Sequence, residues 1–396
     1  PFGAASENSK QYIDSNFSLS RYDLATVFID RMLQLTSTKG RLGSISTRTI
    51  FFLGSFSKWR SRDFFTNNFI EQFADLGGEV LDAMVEVAAY VIREGKSNQN
   101  SNFYRIVNST SKDTYLKEVI KNREFDFYQK KASSFKNISN EPLCYWIDDQ
   151  TAELFEKSER FLNSERKANV GLKTFNNERF TRNGWEVSNS VKWNQFLMTD
   201  TSCRFYYYGN FVVNWAGDGK ELRAYVFMKK RSIEGETHFF KPGLSWALRT
   251  GFFQPHIVPN GVLASSGRFI AVFNNLSETM AIASLWNSEY IDYCLKLSME
   301  WIERPKFING IVNQLPYLKL SESLTSRLKE ITLRQYITTK VPYATDDKNL
   351  AFRNNDFTMF NSLMEYVKYR QNELVENRNK YLKDLERLNE MVYNHF

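Results

Sequence analysis

The first ninety-five residues alternate between two kinds of apolar spacing, and this alternation restricts the fold more than any other feature. Leu24, Phe28 and Met32 belong to a set spaced at three- and four-residue steps, which predicts a helix over residues 20–36. Residues 41–47 alternate apolar with polar or small side chains, as a buried strand does. A further helix and two strands are predicted over residues 55–65, 69–76 and 84–93. This succession is typical of the closing half of an α/β sheet domain, which we assign to residues 1–95.

A polar run over residues 95–102 is the clearest loop of the chain. We expect a connecting segment over residues 96–139, with a helix at 113–122. Over residues 140–318, aromatic strand-like runs alternate with turns such as the Ala-Gly-Asp-Gly at 216–219. That pattern predicts a mixed α+β domain that is rich in strands.

Residues 319–396 differ again, because apolar residues recur there at helical spacing among many charged and amide side chains. Leu374, Tyr381, Leu388 and Val392 make a narrow apolar stripe. The prediction is a C-terminal helical segment. Its stripe either packs on its own domain or pairs with a second chain.

The charge balance favours a polyanionic partner. The chain has 52 basic and 45 acidic residues, a net charge of +7 and a pI near 9.0. An aromatic content of 15% suits a strand-rich core and also suits stacking on bases, so it leaves both interpretations open.

Several other chemistries find no support in the sequence. The three cysteines and three histidines are dispersed, without the tight spacing of a zinc site, so we expect no metal. Scattered cysteines without pairs are typical of reduced thiols in a cytosolic protein. No apolar run approaches the ~20 residues that a membrane span needs, so we expect a bacterial cytoplasmic protein without membrane contact.

Four short runs follow one another along the first domain. They are Pro1-Phe2-Gly3, Asp23-Leu24, Lys39-Gly40-Arg41-Leu42-Gly43 and Leu76-Gly77-Gly78-Glu79-Val80. Their succession resembles the stretch that follows the catalytic loop in adenine-specific (N6) DNA methyltransferases of the bacterial phage-exclusion (BREX, Pgl) type, within the Eco57I-like restriction-modification methylase family. Only the C-terminal portion of such an enzyme is represented.

The resemblance implies catalytic roles for Pro1 and Phe2. In the family, an Asn/Asp-Pro-Pro-Tyr/Phe loop accepts the amino hydrogens of a flipped adenine and stacks on its ring. Pro1 and Phe2 resemble the last two residues of that loop, so the polar residue and the first proline would lie upstream. Arg48 ends the predicted strand on the side that faces substrate in the family. It is either a phosphate contact or a solvated surface arginine.

The second domain extends the resemblance. Residues 171–187 resemble the motif that opens the family's target-recognition region, and three later runs, at 211–215, 241–246 and 309–316, resemble its subsequent motifs. Arginine can bind guanine edges and asparagine adenine edges, while all such side chains can bind phosphate. A solvated basic face is the alternative. The candidate DNA-contacting residues here are Lys173, Asn176, Asn177, Arg179 and Arg182, with Arg249 and residues 229–231 as weaker candidates. Trp185, Trp215 and Trp246 are expected in the core rather than on bases.

The fold that the resemblance implies is the second half of a Rossmann-like methyltransferase domain, then a target-recognition domain, then the helical segment. The implied reaction moves a methyl group from S-adenosylmethionine to a flipped adenine in double-stranded DNA. The cofactor site would lie largely outside this chain, which alone should be inactive. Implied partners are DNA, a complementary N-terminal chain and other phage-defence subunits. The alternative is a non-catalytic DNA-recognition protein like the specificity subunits of restriction systems.

Overall fold

The chain divides into two compact units, each with its own sheets and apolar core. Unit 1 comprises Pro1–Lys157 with Lys296–Trp301, and unit 2 comprises Ser158–Leu295 with Ile302–Phe396. The predicted connecting segment therefore falls inside unit 1, and the predicted tail inside unit 2. The computed structural model describes residues 6–81, 85–95, 99–187, 191–198, 203–207, 209–273, 275–299, 305–346, 348–349, 352 and 357–396.

Unit 1 has one five-stranded sheet with helices around it. Its strands are β1 Arg41–Thr47, β2 Asn68–Gly77, β3 Val87–Glu94, β4 Ser101–Arg105 and β5 Phe127–Lys130. Its helices are α1 Glu7–Asn16, α2 Leu24–Leu35, α3 Phe65–Asn67, α4 Lys112–Asn122 and α5 Asp149–Lys157. Short 3-10 turns lie at Arg48–Phe51, Gly54–Phe56 and Ala132–Phe135, and a π turn at Trp59–Phe64.

Local sequence explains the first elements of unit 1. Asp23 caps α2 because its Oδ1 accepts a hydrogen bond from the Ala25 amide at 2.8 Å. Val27, Ile29 and Leu33 are buried, and β1 has the predicted bounds. The expected helix over 55–65 is instead a 3-10 turn and a π turn. The π turn continues directly into α3, so most of the predicted segment is helical, and its side chains Phe56, Trp59 and Phe64 are buried at helical spacing.

The sheet of unit 1 is mixed, in the order β1-β3-β2-β4-β5. Strand β3 is antiparallel to both of its neighbours, and β4 is parallel to β2. Strand β1 therefore ends the sheet, and its outer edge has no strand partner among the described residues. The edge is one place where further strands can be added.

A buried ion pair joins the turn after β1 to the middle of the sheet. Arg48 and Asp75 are 3% and 0% exposed, and the Arg48 Nε and Nη2 atoms donate to the two carboxylate oxygens at 2.7 and 2.9 Å. Glu86 accepts from Nη1 at 2.9 Å. Burial alone would lower the pKa of Arg48, but Asp75 and Glu86 outweigh it and raise that pKa. Of the two interpretations of Arg48, the solvated surface arginine is therefore wrong.

Unit 2 has two four-stranded sheets, in the orders β11-β10-β13-β6 and β12-β8-β9-β7. Its strands are β6 Lys167–Val170, β7 Thr181–Asn183, β8 Trp193–Leu197, β9 Phe211–Asn214, β10 Gly243–Ala247, β11 His256–Val258, β12 Leu263–Ala264 and β13 Arg268–Val272. The remaining helices are α6 Asn177–Phe180, α7 Ala216–Met228, α8 Leu276–Trp286, α9 Glu289–Leu297, α10 Asn309–Val312, α11 Glu322–Lys340 and α12 Leu363–Tyr393. Short 3-10 turns lie at Gly184–Glu186, Glu236–His238, Val341–Tyr343 and Phe357–Met359.

Two of the three predicted core tryptophans are in the core of unit 2. Trp215 and Trp246 are 6% and 0% exposed, and the Trp246 Nε1 atom donates to the Phe307 carbonyl at 2.8 Å. Trp185 is 60% exposed, so its expected place in the core is wrong. It lies in the short turn Gly184–Glu186, of which no residue is buried.

The helical tail packs on its own unit through α11 and through the C-terminal end of α12. The Ser284 Oγ atom of α8 donates to the Leu328 carbonyl of α11 at 2.9 Å, and Arg334 of α11 pairs with Asp384 of α12 at 2.9 Å. Leu388 and Val392 are buried. Own-domain packing is thus confirmed for this end, while apolar residues near the start of α12 stay exposed.

Replacing Arg48 by methionine should destabilise unit 1 by about 3–5 kcal/mol, because it leaves the Asp75 carboxylate buried without its cation. Chemical denaturation followed by tryptophan fluorescence measures the loss. The matched control is Arg41→Gln, which removes an exposed pair with Glu71 and should leave the midpoint unchanged. Equal midpoints for the two variants would contradict the structural role of the buried pair.

Candidate nucleic-acid interface

The segment after β6 runs against the end of β12 at van der Waals distance. The Leu172 amide donates to the Ala264 carbonyl at 2.7 Å, and the Ser266 amide donates to the Leu172 carbonyl at 2.8 Å. A Cβ atom added at Gly171 would lie 2.2 Å from the Ser265 carbonyl oxygen. Only glycine fits this approach, which fixes the backbone from which the exposed Lys173 extends.

Lys173 lines a cavity of about 810 Å³ together with the segment that follows α7. Lys230 and Arg231 of that segment are exposed and also line the cavity. Glu234 is the one carboxylate among the described lining residues, so cations are in excess. The cavity thus brings Lys173 together with two of the weaker candidates, Lys230 and Arg231, although more than fifty positions separate them from it in sequence. We call it the basic cavity.

The two asparagines that were predicted to contact DNA have local structural roles. Asn176 caps the short helix α6, since its Oδ1 atom accepts from the Arg179 amide at 3.0 Å. The Asn177 Oδ1 atom accepts from the Thr174 hydroxyl at 2.5 Å. These bonds shape the turn that presents the neighbouring arginines. Neither asparagine lines the basic cavity.

Arg179 and Arg182 project from this turn. The Arg179 guanidinium pairs with Glu221 at 2.9 Å while its side chain is 47% exposed. The Arg182 Nη1 atom donates to the Glu178 and Thr181 carbonyls at 2.5 and 2.6 Å, and this side chain is exposed. Both cations are accessible, although carbonyl and carboxylate partners already fix their positions.

The turn that carries Trp185 is held by a reciprocal cap. The Asn183 amide donates to the Glu186 carboxylate at 2.6 Å, and the Asn183 side chain caps the turn in return. An indole at 60% exposure on a held turn is rare for a residue type that usually buries most of its surface. Its exposure was missed because the sequence gives residue type but not side-chain accessibility.

The other predicted site residues lie elsewhere. Arg249 is exposed, and it forms an antiparallel bridge with Lys306 rather than lining the basic cavity. Arg48 belongs to unit 1, where its guanidinium is engaged by Asp75 and Glu86, and its phosphate contact stays a prediction. Pro1 and Phe2 lie outside the described residues.

The described residues do not fit a site for S-adenosylmethionine. A cavity of about 700 Å³ on the sheet face of unit 1 is lined by Ser44, Gln72, Tyr90 and Arg123 among mostly apolar residues. No carboxylate is among its described lining residues to bind ribose hydroxyls, as nucleoside cofactor sites provide.

The described part of the chain has neither a metal site nor a membrane-spanning helix. It contains no group of three or more His, Cys, Asp or Glu side chains arranged to hold a metal ion. Within the same ranges, no helix combines the length and apolarity that crossing a membrane requires. The cysteines Cys144, Cys203 and Cys294 are buried, and none forms a disulfide within the described residues.

The chain is similar to one curated protein over most of its length. Adenine-specific methyltransferase PglX of Lacticaseibacillus casei (strain Zhang) is 25% identical over 358 residues, which is 81% of this chain and 29% of that protein. This relative confirms the predicted resemblance to the Pgl type of adenine-specific methyltransferase. The chain spans less than a third of the relative's length. No family model matches the chain.

Among solved structures, the chain is similar to the Type IIL restriction-modification enzyme MmeI in complex with DNA. The TM-score is 0.54 at 13% sequence identity, and the match covers 97% of this chain and 52% of MmeI. At such low identity the likeness shows the fold alone. The chain therefore has the mixed α/β fold found in a part of a restriction-modification enzyme.

Substituting Asn176 tests whether its side chain supports the fold. Asn176→Ala should lower the free energy of unfolding by about 0.5–2 kcal/mol, because the Arg179 amide loses its cap. Asn176→Asp should keep the stability, since its carboxylate accepts the same bond. Thermal or urea unfolding of the three proteins is the measurement, and equal stability of the alanine variant would contradict the capping role.

Proposed function

We propose that the chain is part of a site-specific DNA adenine-N6 methyltransferase that acts in restriction-modification and phage defence. The complete enzyme transfers a methyl group from S-adenosylmethionine to an adenine that has been flipped out of double-stranded DNA. This chain supplies the closing half of the catalytic sheet, the target-recognition region and a helical segment. A bacterial cytoplasmic location follows from that substrate.

The observation that carries this proposal is the convergence of Lys173, Lys230 and Arg231 in one basic cavity. Lys173 belongs to the run that resembles the opening of the target-recognition region. Three cations facing one carboxylate favour an anionic ligand, and phosphate contacts dominate the affinity of proteins for DNA. The similarity to an adenine-specific methyltransferase, which extends over 81% of the chain, supports DNA as that ligand.

Arg179, Arg182 and Trp185 extend the proposed contact surface. Arginine forks bind guanine edges or phosphates, and an exposed indole stacks on bases that have left the helix. Both arginines are accessible and held by partners that fix their direction. We assign Asn176 and Asn177 to shaping this surface, and Arg249 to a peripheral phosphate contact.

The open edge of β1 supports a role for an upstream segment. Strand β1 ends the sheet of unit 1, and the side chain of Ile45 on this strand is 58% exposed. An edge strand with an exposed apolar side chain is suited to pairing with further strands. We propose that a complementary N-terminal part pairs there and brings both the cofactor site and the first residues of the catalytic loop. Pro1 and Phe2 would complete that loop.

In the proposed enzyme, the residues of this chain bind and orient DNA, and the upstream part binds the cofactor. The methyl donor, when bound by the complete enzyme, supplies an electrophilic methyl group. The aromatic ring of Phe2 would stack on the flipped base, and a proline carbonyl would accept an amino hydrogen. Other phage-defence subunits are further proposed partners of the assembled enzyme.

Removing the charges of the basic cavity should weaken DNA binding. The triple variant Lys173→Gln, Lys230→Gln, Arg231→Gln should lose at least about tenfold in affinity for duplex DNA at moderate salt. If each side chain neutralises one phosphate, the slope of log K against log salt should fall by roughly 2.7. Fluorescence anisotropy with a labelled duplex over a salt series measures both quantities.

The matched control for that variant carries the same change in net charge on unit 1. Lys117, Lys121 and Lys131 are exposed and do not line the basic cavity. Their replacement by glutamine should alter the affinity less than threefold, because net charge alone then changes. Equal losses in the two triple variants would show that the basic cavity is not the DNA site.

Catalysis should depend on the upstream part. The isolated chain should transfer no methyl group from radiolabelled S-adenosylmethionine to DNA, whereas the chain joined to the upstream sequence should. Measurable transfer by the isolated chain would overturn this assignment. If the joined protein binds DNA without methylating it, the chain is a non-catalytic recognition module, which is the second candidate function.

A further inference from the structure

A second concavity of unit 2 lies apart from the basic cavity. It has a volume of about 530 Å³, within the usual range of small-molecule sites. Its walls come from α11, the turn Val341–Tyr343, α12 and the chain around Cys203–Tyr206. It shares no described lining residue with the basic cavity. We call it the tail cavity.

The tail cavity is positively charged. Arg204 and Arg378 line it, and no carboxylate is among its described lining residues. The Arg204 Nε atom is buried and makes no hydrogen bond within the described part of the chain. A buried donor of a charged group without an acceptor is costly, so the site is electrostatically incomplete as it stands.

Three acidic residues of α12 that neighbour lining residues in sequence already have cationic partners. The Glu376 carboxylate lies 3.9 Å from the Lys380 ammonium group. Glu373 accepts a hydrogen bond from Arg370 of the same helix. Asp384 is bound through both of its oxygens by Arg334 of α11, at 2.9 and 3.0 Å. None of these carboxylates is among the lining residues. An anion from outside the described chain is therefore the natural complement of the two guanidinium groups.

Aromatic rings form the other part of the wall. Tyr206, Tyr343 and Tyr381 line the cavity, and the rings of Tyr206 and Tyr343 lie 6.4 Å apart between centroids. Burial raises the pKa of Tyr206 to about 12, with Tyr336 as a further cause, so its hydroxyl stays protonated at neutral pH. Tyrosine rings offer a stacking face for a heteroaromatic base. The wall thus joins an anion-binding part to a ring-binding part.

We propose that the tail cavity binds a nucleoside phosphate. The phosphate lies against the guanidinium groups of Arg204 and Arg378, which donate in pairs to its oxygens. The base lies against the tyrosine rings. Two sources provide this chemistry: a free nucleotide, or a nucleotide of the DNA strand that the chain binds.

Equilibrium binding of AMP and ATP to the full chain, by calorimetry or dialysis, tests the proposal. The unaltered chain should bind at least one of them saturably. Arg378→Gln should weaken that binding by about tenfold or more, since a charge-assisted bidentate contact is lost. Arg378→Lys should fall between the two, because it keeps the charge without the planar fork.

The matched control is Lys383→Gln, which removes one positive charge from the same helix at an exposed position outside the cavity. It should bind nucleotide like the unaltered chain. Thermal unfolding confirms that each variant is folded, and Tyr381→Leu provides a second variant that removes ring contact instead of charge. Absence of saturable binding at millimolar nucleotide, or equal binding by Arg378→Gln and Lys383→Gln, would overturn the proposal.

Competition with DNA distinguishes the two sources. If a short duplex or single strand displaces AMP and Arg378→Gln also weakens DNA binding, the occupant is a nucleotide of bound DNA. If AMP binding persists beside DNA, the occupant is a free nucleotide. The triple variant of the basic cavity should retain AMP binding, so failure of the DNA proposal there and failure of this proposal give different results.

Discussion

The buried pair of Arg48 and Asp75 is the interaction on which unit 1 depends. It joins the turn after β1 to the central strand β2, and the Tyr145 hydroxyl donates to the same carboxylate at 2.8 Å. Burial, with Asp75 next, raises the pKa of Tyr145, which keeps that donor protonated. None of these groups tolerates burial without the others, because an unpaired charge in the interior is strongly destabilising. The sheet, the turn and the segment around Tyr145 must therefore form together.

The spacing of apolar residues predicted the positions of helices and strands well, but it predicted the exposure of individual polar and aromatic side chains poorly. The spacing of Leu24, Val27 and Leu33 locates α2, and the alternation along β1 locates its bounds, because both patterns are local. Arg48 is buried, although one of its two interpretations placed it in solvent. Trp185 is exposed, although it was expected in the core. Their exposure depends on Asp75 and on the shape of a short turn, and periodicity carries no information on either. A single sequence does not indicate which residues that are distant along the chain will contact each other in the fold.

In the candidate site too, local features could be predicted from the sequence, whereas contacts between distant residues could not. The basic run from Lys173 to Arg182 could be found from composition, and its resemblance to a recognition region gave it a meaning. That Lys173 shares a cavity with Lys230 and Arg231 could not be predicted. It depends on Gly171, which lets the backbone come within hydrogen-bonding distance of the end of β12. The local hydrogen bonds of Asn176 and Asn177 were not predicted, because capping and base recognition use the same amide atoms, and their contact with DNA stays a prediction.

The open edge of β1 has a consequence for how the chain behaves in solution. Unpaired backbone amides and carbonyls at an edge accept any strand that is presented at sufficient concentration, including the same edge of a second copy. An upstream segment joined by a peptide bond competes at an effective concentration in the millimolar range, and so excludes other copies. A segment supplied as a separate chain loses that advantage. If the proposed upstream part pairs with this edge, solubility is coupled to covalent continuity, because a part that is synthesised first is in place when the edge forms.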